Sequence, residues 1–233
     1  MSKVKENAEG KKRFEGLNAF IDRCTLFDWL PVHSRFARML AVELSLMFKG
    51  LSLWWYLPAF GLLIASLAVP MNVLKEFIFP VIWIWPVLIW SKIGTREERF
   101  GTAQVIFSTP RILGRQLPAM LAAGVIVSLA TASGVLLRFI IDGNFMLVFA
   151  AIIGSLFISL LAIAFGVWSK SSKLFEAVFV ALWYIGPMNH VAALDFTFTS
   201  PASLPSGMPL MYLLICGLLA VAAVSGRRRQ MAL

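Results

Sequence analysis

The sequence predicts an all-α integral membrane protein with six transmembrane helices and both termini on the cytoplasmic side. Three observations lead to this prediction: an apolar composition, long apolar stretches, and lysines and arginines concentrated in alternate loops. Hydrophobic residues make up 59% of the 233 residues and charged residues only 14%, whereas a soluble domain averages about 25% charged residues. A soluble globule of this size could not bury so much apolar surface, so the predicted solvent is lipid.

The remaining composition excludes several other classes of protein. The net charge of +9 does not indicate nucleic-acid binding, because the basic residues follow the predicted topology and do not form one basic face. Cys24 and Cys216 are far apart and form no CxxC motif, so no disulfide framework or metal site is predicted. The polar, charged residues 1–16 do not resemble a cleavable signal peptide.

Residues 1–50 are predicted to form a cytoplasmic tail followed by an amphipathic helix. Apolar residues recur there at helical spacing, at Phe36, Met39, Leu40, Leu44, Met47 and Phe48. Charged residues fall between them, at Arg35, Arg38, Glu43 and Lys49. This pattern is typical of a helix lying in the membrane interface, and a helix packed on the protein itself remains the alternative.

Six apolar segments then form the predicted transmembrane domain, residues 51–226, which a basic cytoplasmic tail at 227–233 follows. The spans are predicted at 51–69, 77–90, 117–137, 145–168, 174–185 and 210–224. Each approaches the ~20 residues that cross the hydrocarbon core, although the second and fifth are short. Pro80 and Pro86 lie inside the second span and should kink it.

The orientation follows from the distribution of lysine and arginine. The N-terminal segment holds nine, the 91–116 loop five, the 170–173 loop two and the C-terminus three. Only Lys75 and Arg138 fall on the other side. The positive-inside rule therefore places the basic loops in the cytoplasm, and an even number of spans keeps this alternation.

Residues 186–206, between spans five and six, mix apolar and turn-forming residues close to the outer surface. We expect this segment to be re-entrant or to lie flat on the membrane. Asp195 is its acidic residue, and two roles stay open at this point. It is a candidate for the substrate path, as acids within membrane segments often are, or it caps a short helix.

The loop between spans two and three carries the functional signal. Thr95 with Glu98 three residues later forms a capping box that begins a helix, and Pro110 ends it. The sequence thus predicts a short cytoplasmic helix at 95–110, longer than a simple connection requires. Its charged first turn and aromatic residues suit docking to a partner, and a solvated interfacial helix is the alternative.

This segment resembles the coupling-helix region of ABC-2 type transporter permeases. The resemblance rests on the run Arg96-Glu97-Glu98-x-x-Gly101-Thr102, followed by Ser108-Thr109-Pro110 and then Arg115. The amphipathic helix before span one and the six-span topology also match that family. The segment from Trp183 to Asn189 and the run Leu194-Asp195-Phe196 are similar to permeases grouped with copper-enzyme maturation systems.

The resemblance implies a permease subunit that pairs with a second permease, identical or related, and with separate cytoplasmic ATPase subunits. It assigns ATPase docking to Arg96, Glu97, Glu98, Arg99, Phe100, Gly101, Thr102, Phe107, Thr109 and Pro110. The charged residues would face the ATPase, the phenylalanines would anchor the helix, and Gly101 would allow close backbone approach. By this resemblance, ATP binding closes the ATPase dimer, moves the coupling helices together and tilts the spans.

The resemblance also implies that this chain is not itself an enzyme. No GxxxxGK[ST] phosphate loop occurs in it, so ATP and Mg²⁺ would be bound by the partner subunit. Glu97-Glu98 does not fit the EExxxR motif of membrane prenyl-protein proteases, because Thr102 occupies the arginine position. His33 and His190 are predicted on opposite sides of the membrane, so they cannot converge on a metal ion.

The resemblance therefore implies ATP-driven transport, as an exporter, across the cytoplasmic membrane of a bacterium or archaeon. The bilayer and the ATPase are the implied partners, and nucleic acid is not. The alternative is a non-transporting membrane scaffold or assembly factor that docks a cytoplasmic protein through the 95–110 helix.

Overall fold

The protein is all-helical over the residues that a computed structural model describes, which are 34–49, 51–96, 112–200 and 202–232. These residues form helices joined by turns, and none of them lies in a strand. The predicted all-α class is therefore confirmed for this part of the chain.

The helices follow the order of the predicted apolar segments. Labelled along the chain, they are α1 (Arg35–Phe48), α2 (Leu53–Ala68), α3 (Met71–Trp90), α4 (Ile112–Thr131), α5 (Ser133–Ile141), α6 (Phe145–Ser169), α7 (Ser172–Trp183) and α8 (Met208–Ala232). By length and composition, α3, α6 and α8 could each cross a membrane. The pair α4 and α5 adds a fourth candidate if it forms one span. Helix α2 is apolar but shorter, and α7 has 12 residues, two of which, Lys173 and Glu176, are charged.

Helix α3 begins earlier than the sequence indicated and is irregular. It starts at Met71, six residues before the predicted span, and thereby reaches 20 residues. A π-helical turn, Leu74–Ile78, precedes Pro80, and the helix is interrupted again at Pro86. Both irregularities lie where a proline removes a backbone donor, as expected. The helix includes Lys75, whose ammonium lies 5.8 Å from the centre of the Phe139 ring.

Helices α4 and α5 meet at a bend of 66°. Near it, the hydroxyl of Ser128 donates to the carbonyl of Gly124 at 2.9 Å, and that of Thr131 donates to the carbonyls of Val127 and Ser128. A hydroxyl that donates to a carbonyl of the preceding turn competes with the backbone N–H groups of the helix for that carbonyl. Such hydrogen bonds often bend helices. The bend therefore has a local chemical cause.

Helix α6 lies at the centre of the bundle. In the 18-residue apolar stretch of α6, 72% of the residues are buried, whereas in that of α8 only 17% are buried. It packs against α4, α5, α7 and α8. Its small residues allow this approach: a Cβ on Gly124 of α4 would lie 2.7 Å from the Ser159 hydroxyl oxygen. The small residues of these helices thus serve packing.

Helix α1 packs against α4 and against the end of α3. Its N-terminus is capped by Ser34, whose hydroxyl accepts the N–H of Ala37 at 3.1 Å. Leu44 and Met47 are buried, whereas Phe36 and Val42 are exposed. One face of this amphipathic helix therefore packs on the protein, and another apolar part remains uncovered.

Helix α8 continues through most of the predicted basic tail. Its C-terminal end is attached to α6, because the Gln230 amide donates to the carbonyl of Val167 at 2.7 Å and the Trp168 indole donates to the carbonyl of Ala222 at 2.8 Å. Arg227 is only 2% exposed. The ends of α6 and α8 are therefore fixed at the same end of the bundle.

Candidate functional site

The residues predicted to start the coupling helix meet α1 in a buried ion pair. Nη1 of Arg96 lies 2.9 Å from Oε2 of Glu43, and the two side chains are only 13% and 7% exposed. Glu43 lies on the protein-facing side of α1, beside Leu44 and Met47. The pair therefore links the amphipathic helix to the first residues of the 95–110 segment.

The turn that precedes Arg96 is fixed against α6 by backbone contact. Gly94 has a positive φ of 83°, which favours glycine. A Cβ on Gly94 would lie 3.0 Å from the carbonyl oxygen of Ile163, and one on Gly166 would lie 2.5 Å from that of Ile93. Only glycine permits such an approach at both positions, so this turn sits directly on the central helix.

Thr95 is buried and bonds backwards along the chain. Its hydroxyl donates to the carbonyls of Lys92 at 3.3 Å and Ser91 at 3.5 Å. The helical conformation begins at Arg96, one residue after the predicted cap. The partner of the capping box, Glu98, lies outside the described residues, so the box itself stays a prediction.

Most of the predicted docking residues also lie outside the described part of the chain. These are Glu97, Glu98, Arg99, Phe100, Gly101, Thr102, Phe107, Thr109 and Pro110. Of the predicted docking residues, only Arg96 lies in the described part of the chain, where it pairs with Glu43. The alternatives of a docking helix and a solvated interfacial helix therefore both stand as predictions.

Asp195 organises the segment between α7 and α8. Its side chain is fully buried, and Oδ1 accepts the backbone N–H groups of Thr197 at 3.0 Å and Phe198 at 3.1 Å. Oδ1 also accepts the Thr197 hydroxyl at 2.5 Å, and Oδ2 accepts the N–H of Ser200 at 2.8 Å. A carboxylate that accepts four hydrogen bonds from the residues after it holds the loop together. Acceptance of the N–H groups two and three residues ahead is the hydrogen bonding of the predicted capping role, but a turn and not a helix follows Asp195.

The loop that Asp195 organises folds inward, into the helical bundle. Phe196 is fully buried, with its ring 6.0 Å from that of Trp83 and 5.7 Å from that of Phe179. A Cβ on Gly154 of α6 would lie 2.5 Å from the Phe196 carbonyl oxygen. The inward path agrees with the segment's mixed polarity, and its depth relative to a membrane remains a prediction.

Glycine also lets this loop return onto the end of α7. A Cβ on Gly186 would lie 2.0 Å from the Leu194 carbonyl oxygen. The N–H of Val191 donates to the Gly186 carbonyl at 3.2 Å, and the Tyr212 hydroxyl of α8 donates to the Ala193 carbonyl at 3.3 Å. The loop is thus held between α7 and α8.

Two further charged residues have local structural roles. Arg138 of α5 donates from Nη1 to the carbonyls of Ser66 at 3.2 Å and Val69, at the C-terminal end of α2. Cations stabilise helix C-termini by neutralising unpaired carbonyls. Glu176 of α7 forms an ion pair with Lys173 at 2.9 Å.

No group of three or more His, Cys, Asp or Glu side chains that could hold a metal ion occurs in the described ranges.

The pairing of Glu43 with Arg96 could not be anticipated from sequence, because 53 residues separate the two charges. The opposite charges of the two residues were the only signal in the sequence.

Together, the fold and the site define a chain that is all-helical over its described residues and whose apolar helices are compatible with a membrane. No family model, curated protein or solved structure matches this chain. Arguments about its function therefore rest on its own residues and their geometry.

Proposed function

We propose that this chain is the membrane-spanning permease subunit of an ATP-driven transporter of the ABC-2 type, acting as an exporter. It would cross the membrane six times, with both termini in the cytoplasm. A separate ATPase subunit would bind the 95–110 segment, and a second permease subunit would complete the translocation pathway.

The six-span topology is supported by contacts between helix ends. The end of α3 touches the end of α6 through Gly94 and Gly166, and the end of α8 bonds to that of α6 through Gln230. At the opposite end of the bundle, Arg138 of α5 bonds to the end of α2. This arrangement suits helices that run alternately up and down, with the lysine- and arginine-rich loops gathered at one end.

The observation that carries the proposal is the buried pair of Glu43 and Arg96. A coupling helix needs a rigid connection from the segment that docks the ATPase to the membrane helices. Arg96 lies at the beginning of that segment, residues 95–110. Its guanidinium is joined to α1 through Glu43, and α1 packs on α4. A force on the 95–110 segment would therefore reach α1 through the ion pair and α6 through the glycine turn.

Affinity purification tests this proposal. The tagged chain is purified in detergent from its native host, co-purifying proteins are identified by mass spectrometry, and ATPase activity is measured. We expect a phosphate-loop ATPase to co-purify with the native chain and to be lost when Glu97 and Glu98 are both replaced by lysine. Lysines at these positions should repel the basic surface that the two glutamates would fit.

A matched control reverses two carboxylates at the other end of the bundle, Glu76→Lys and Asp142→Lys, both of which are exposed. This variant should retain the ATPase. Equal retention by the native chain and the Glu97/Glu98 variant would overturn the docking assignment. Purification with a partner that is not an ATPase would favour the scaffold alternative.

A further inference from the structure

An apolar crevice of about 420 Å³ lies between α4 and α8, towards the basic end of the bundle. Both helices pack mainly on α6, which forms the floor of the crevice through Leu160 and Ile163. Gly114 of α4 and Ala220 of α8 line the crevice, and their small size leaves the space between the two helices open. Val224 also lines it and is 37% exposed. The crevice therefore opens to the outside of the bundle, where a membrane would place lipid.

Among the described residues that line the crevice, Arg228 is the one that carries a charge. The arginines on either side of it make other contacts. Arg227 is buried and donates to Oε1 of Gln230 at 3.2 Å. The guanidinium carbon of Arg229 lies 5.9 Å from the centre of the Trp168 ring. Arg228 is exposed and forms no ion pair with any described carboxylate. Its guanidinium is therefore available to an anion from outside the chain.

An apolar crevice that ends at one guanidinium suits a ligand with a hydrocarbon chain and an anionic head. A guanidinium binds phosphate through two parallel N–H···O bonds, which fix the orientation of the head. A small anion dissolved in water would make no use of the apolar walls. An apolar helix of a second copy would cover Arg228 without supplying an anion, which is unfavourable for a charge removed from water. An anionic lipid uses both parts of the crevice.

We propose that this crevice binds an anionic glycerophospholipid of the cytoplasmic leaflet, with the lipid phosphate on Arg228 and one acyl chain between α4 and α8. The chain lies on Leu160 and Ile163 of α6. Basic residues at the cytoplasmic ends of membrane helices suit such headgroups, because that leaflet is anionic. The inference uses the orientation given in the proposed function, in which the end of α8 is cytoplasmic. It does not depend on an ATPase partner, so either proposal can fail without the other.

The test measures lipid binding by the full-length chain in detergent. The protein is titrated with phosphatidylglycerol or phosphatidylcholine, and bound lipid is counted by native mass spectrometry. We expect saturable binding of phosphatidylglycerol that becomes about fivefold weaker in Arg228→Gln, because one basic residue beside an anionic lipid contributes about that factor. Arg228→Lys, which keeps the charge, should retain most of the binding. Arg229→Gln is the matched control: it removes the same charge from the next residue, outside the crevice, and should bind as the native chain does.

A second pair of variants tests the acyl chain. Gly114→Leu should weaken binding by occupying the crevice, and it can fold because a Cβ on Gly114 meets nothing within 4 Å. Gly217→Leu, at an equally open position of α8 outside the crevice, should bind normally.

Three results would overturn the site. Equal losses in Arg228→Gln and Arg229→Gln would show general surface attraction. Phosphatidylcholine that binds as tightly as phosphatidylglycerol would show that Arg228 holds no headgroup. If Gly114→Leu abolishes a dimer and leaves lipid binding unchanged, the crevice is an interface between copies of the chain.

Discussion

Glu43 and Arg96 form an ion pair that is almost completely removed from solvent, at 2.9 Å, with 7% and 13% of their side-chain surfaces exposed. Lys173 and Glu176 form a pair of the same length, with 82% and 20% exposed. Removing one partner of a buried pair costs roughly 3–5 kcal/mol, because the other charge stays buried. An exposed pair contributes about 0–1 kcal/mol.

Replacing Glu43 by glutamine should therefore lower the free energy of unfolding by about 3 kcal/mol. Lys173→Gln, which breaks the exposed pair, should lower it by less than about 1 kcal/mol. Thermal unfolding of both variants in the same detergent measures the difference. If the two variants unfold at the same temperature, the Glu43–Arg96 pair is solvated and does not anchor the 95–110 segment.

Gly186→Ala should destabilise the protein, because the added methyl group would lie 2.0 Å from the carbonyl oxygen of Leu194. Overpacking of this kind costs about 1–3 kcal/mol. Gly217→Ala is the control, since a Cβ there meets nothing within 4 Å. It should be neutral or slightly stabilising, because alanine favours the helix. A Gly186→Ala variant as stable as the control would show that the loop does not rest on α7.

Asp195→Asn should loosen the loop between α7 and α8. The amide keeps one acceptor oxygen, but its NH₂ group would face a backbone donor, since Ser200 and the Thr197–Phe198 pair donate to different oxygens. A buried donor left unsatisfied costs about 1–3 kcal/mol. Asp142→Asn, at an exposed position, should leave stability unchanged.

The same Asp195 variant separates its structural role from the substrate path. Limited proteolysis within 189–206, measured beside thermal unfolding, should become faster in Asp195→Asn and remain slow in Asp142→Asn. A variant with native stability and native proteolysis but without transport would instead assign Asp195 to the substrate path.

Cysteine labelling distinguishes six spans from four. In a background with Cys24→Ser and Cys216→Ser, single cysteines are placed at Lys92 and Asp142 and treated with a membrane-impermeant maleimide in intact cells. With six spans, position 142 is labelled from outside and position 92 only after permeabilisation. If α2 and α7 do not cross, the two positions exchange sides, and the six-span proposal fails.

The locations of the helices could be predicted from the sequence because they depend on local composition. Each predicted apolar segment coincides with a helix or, for α4 and α5, with a bent pair. The interruptions of α3 lie near Pro80 and Pro86, whose effect on a helix is also local. Helix α3 begins six residues before the predicted apolar span, because charged residues such as Lys75 and Glu76 interrupt an apolar pattern without ending a helix.

The candidate site could be predicted only in part. The sequence singled out Arg96 and Asp195 by residue type and position. It could not give their partners, because Glu43 lies 53 residues from Arg96 and the partners of Asp195 depend on the exact path of the loop.

By itself, the sequence determined the all-helical class, the positions of the apolar helices and the concentration of positive charge in alternate loops. These features follow from the preference of each segment for lipid or water, which neighbouring residues decide among themselves. The tertiary structure alone decided that Glu43 meets Arg96 and that Gly94 and Gly166 bring a turn onto α6. Contacts between distant segments depend on the packing of the whole bundle, and no local pattern encodes them.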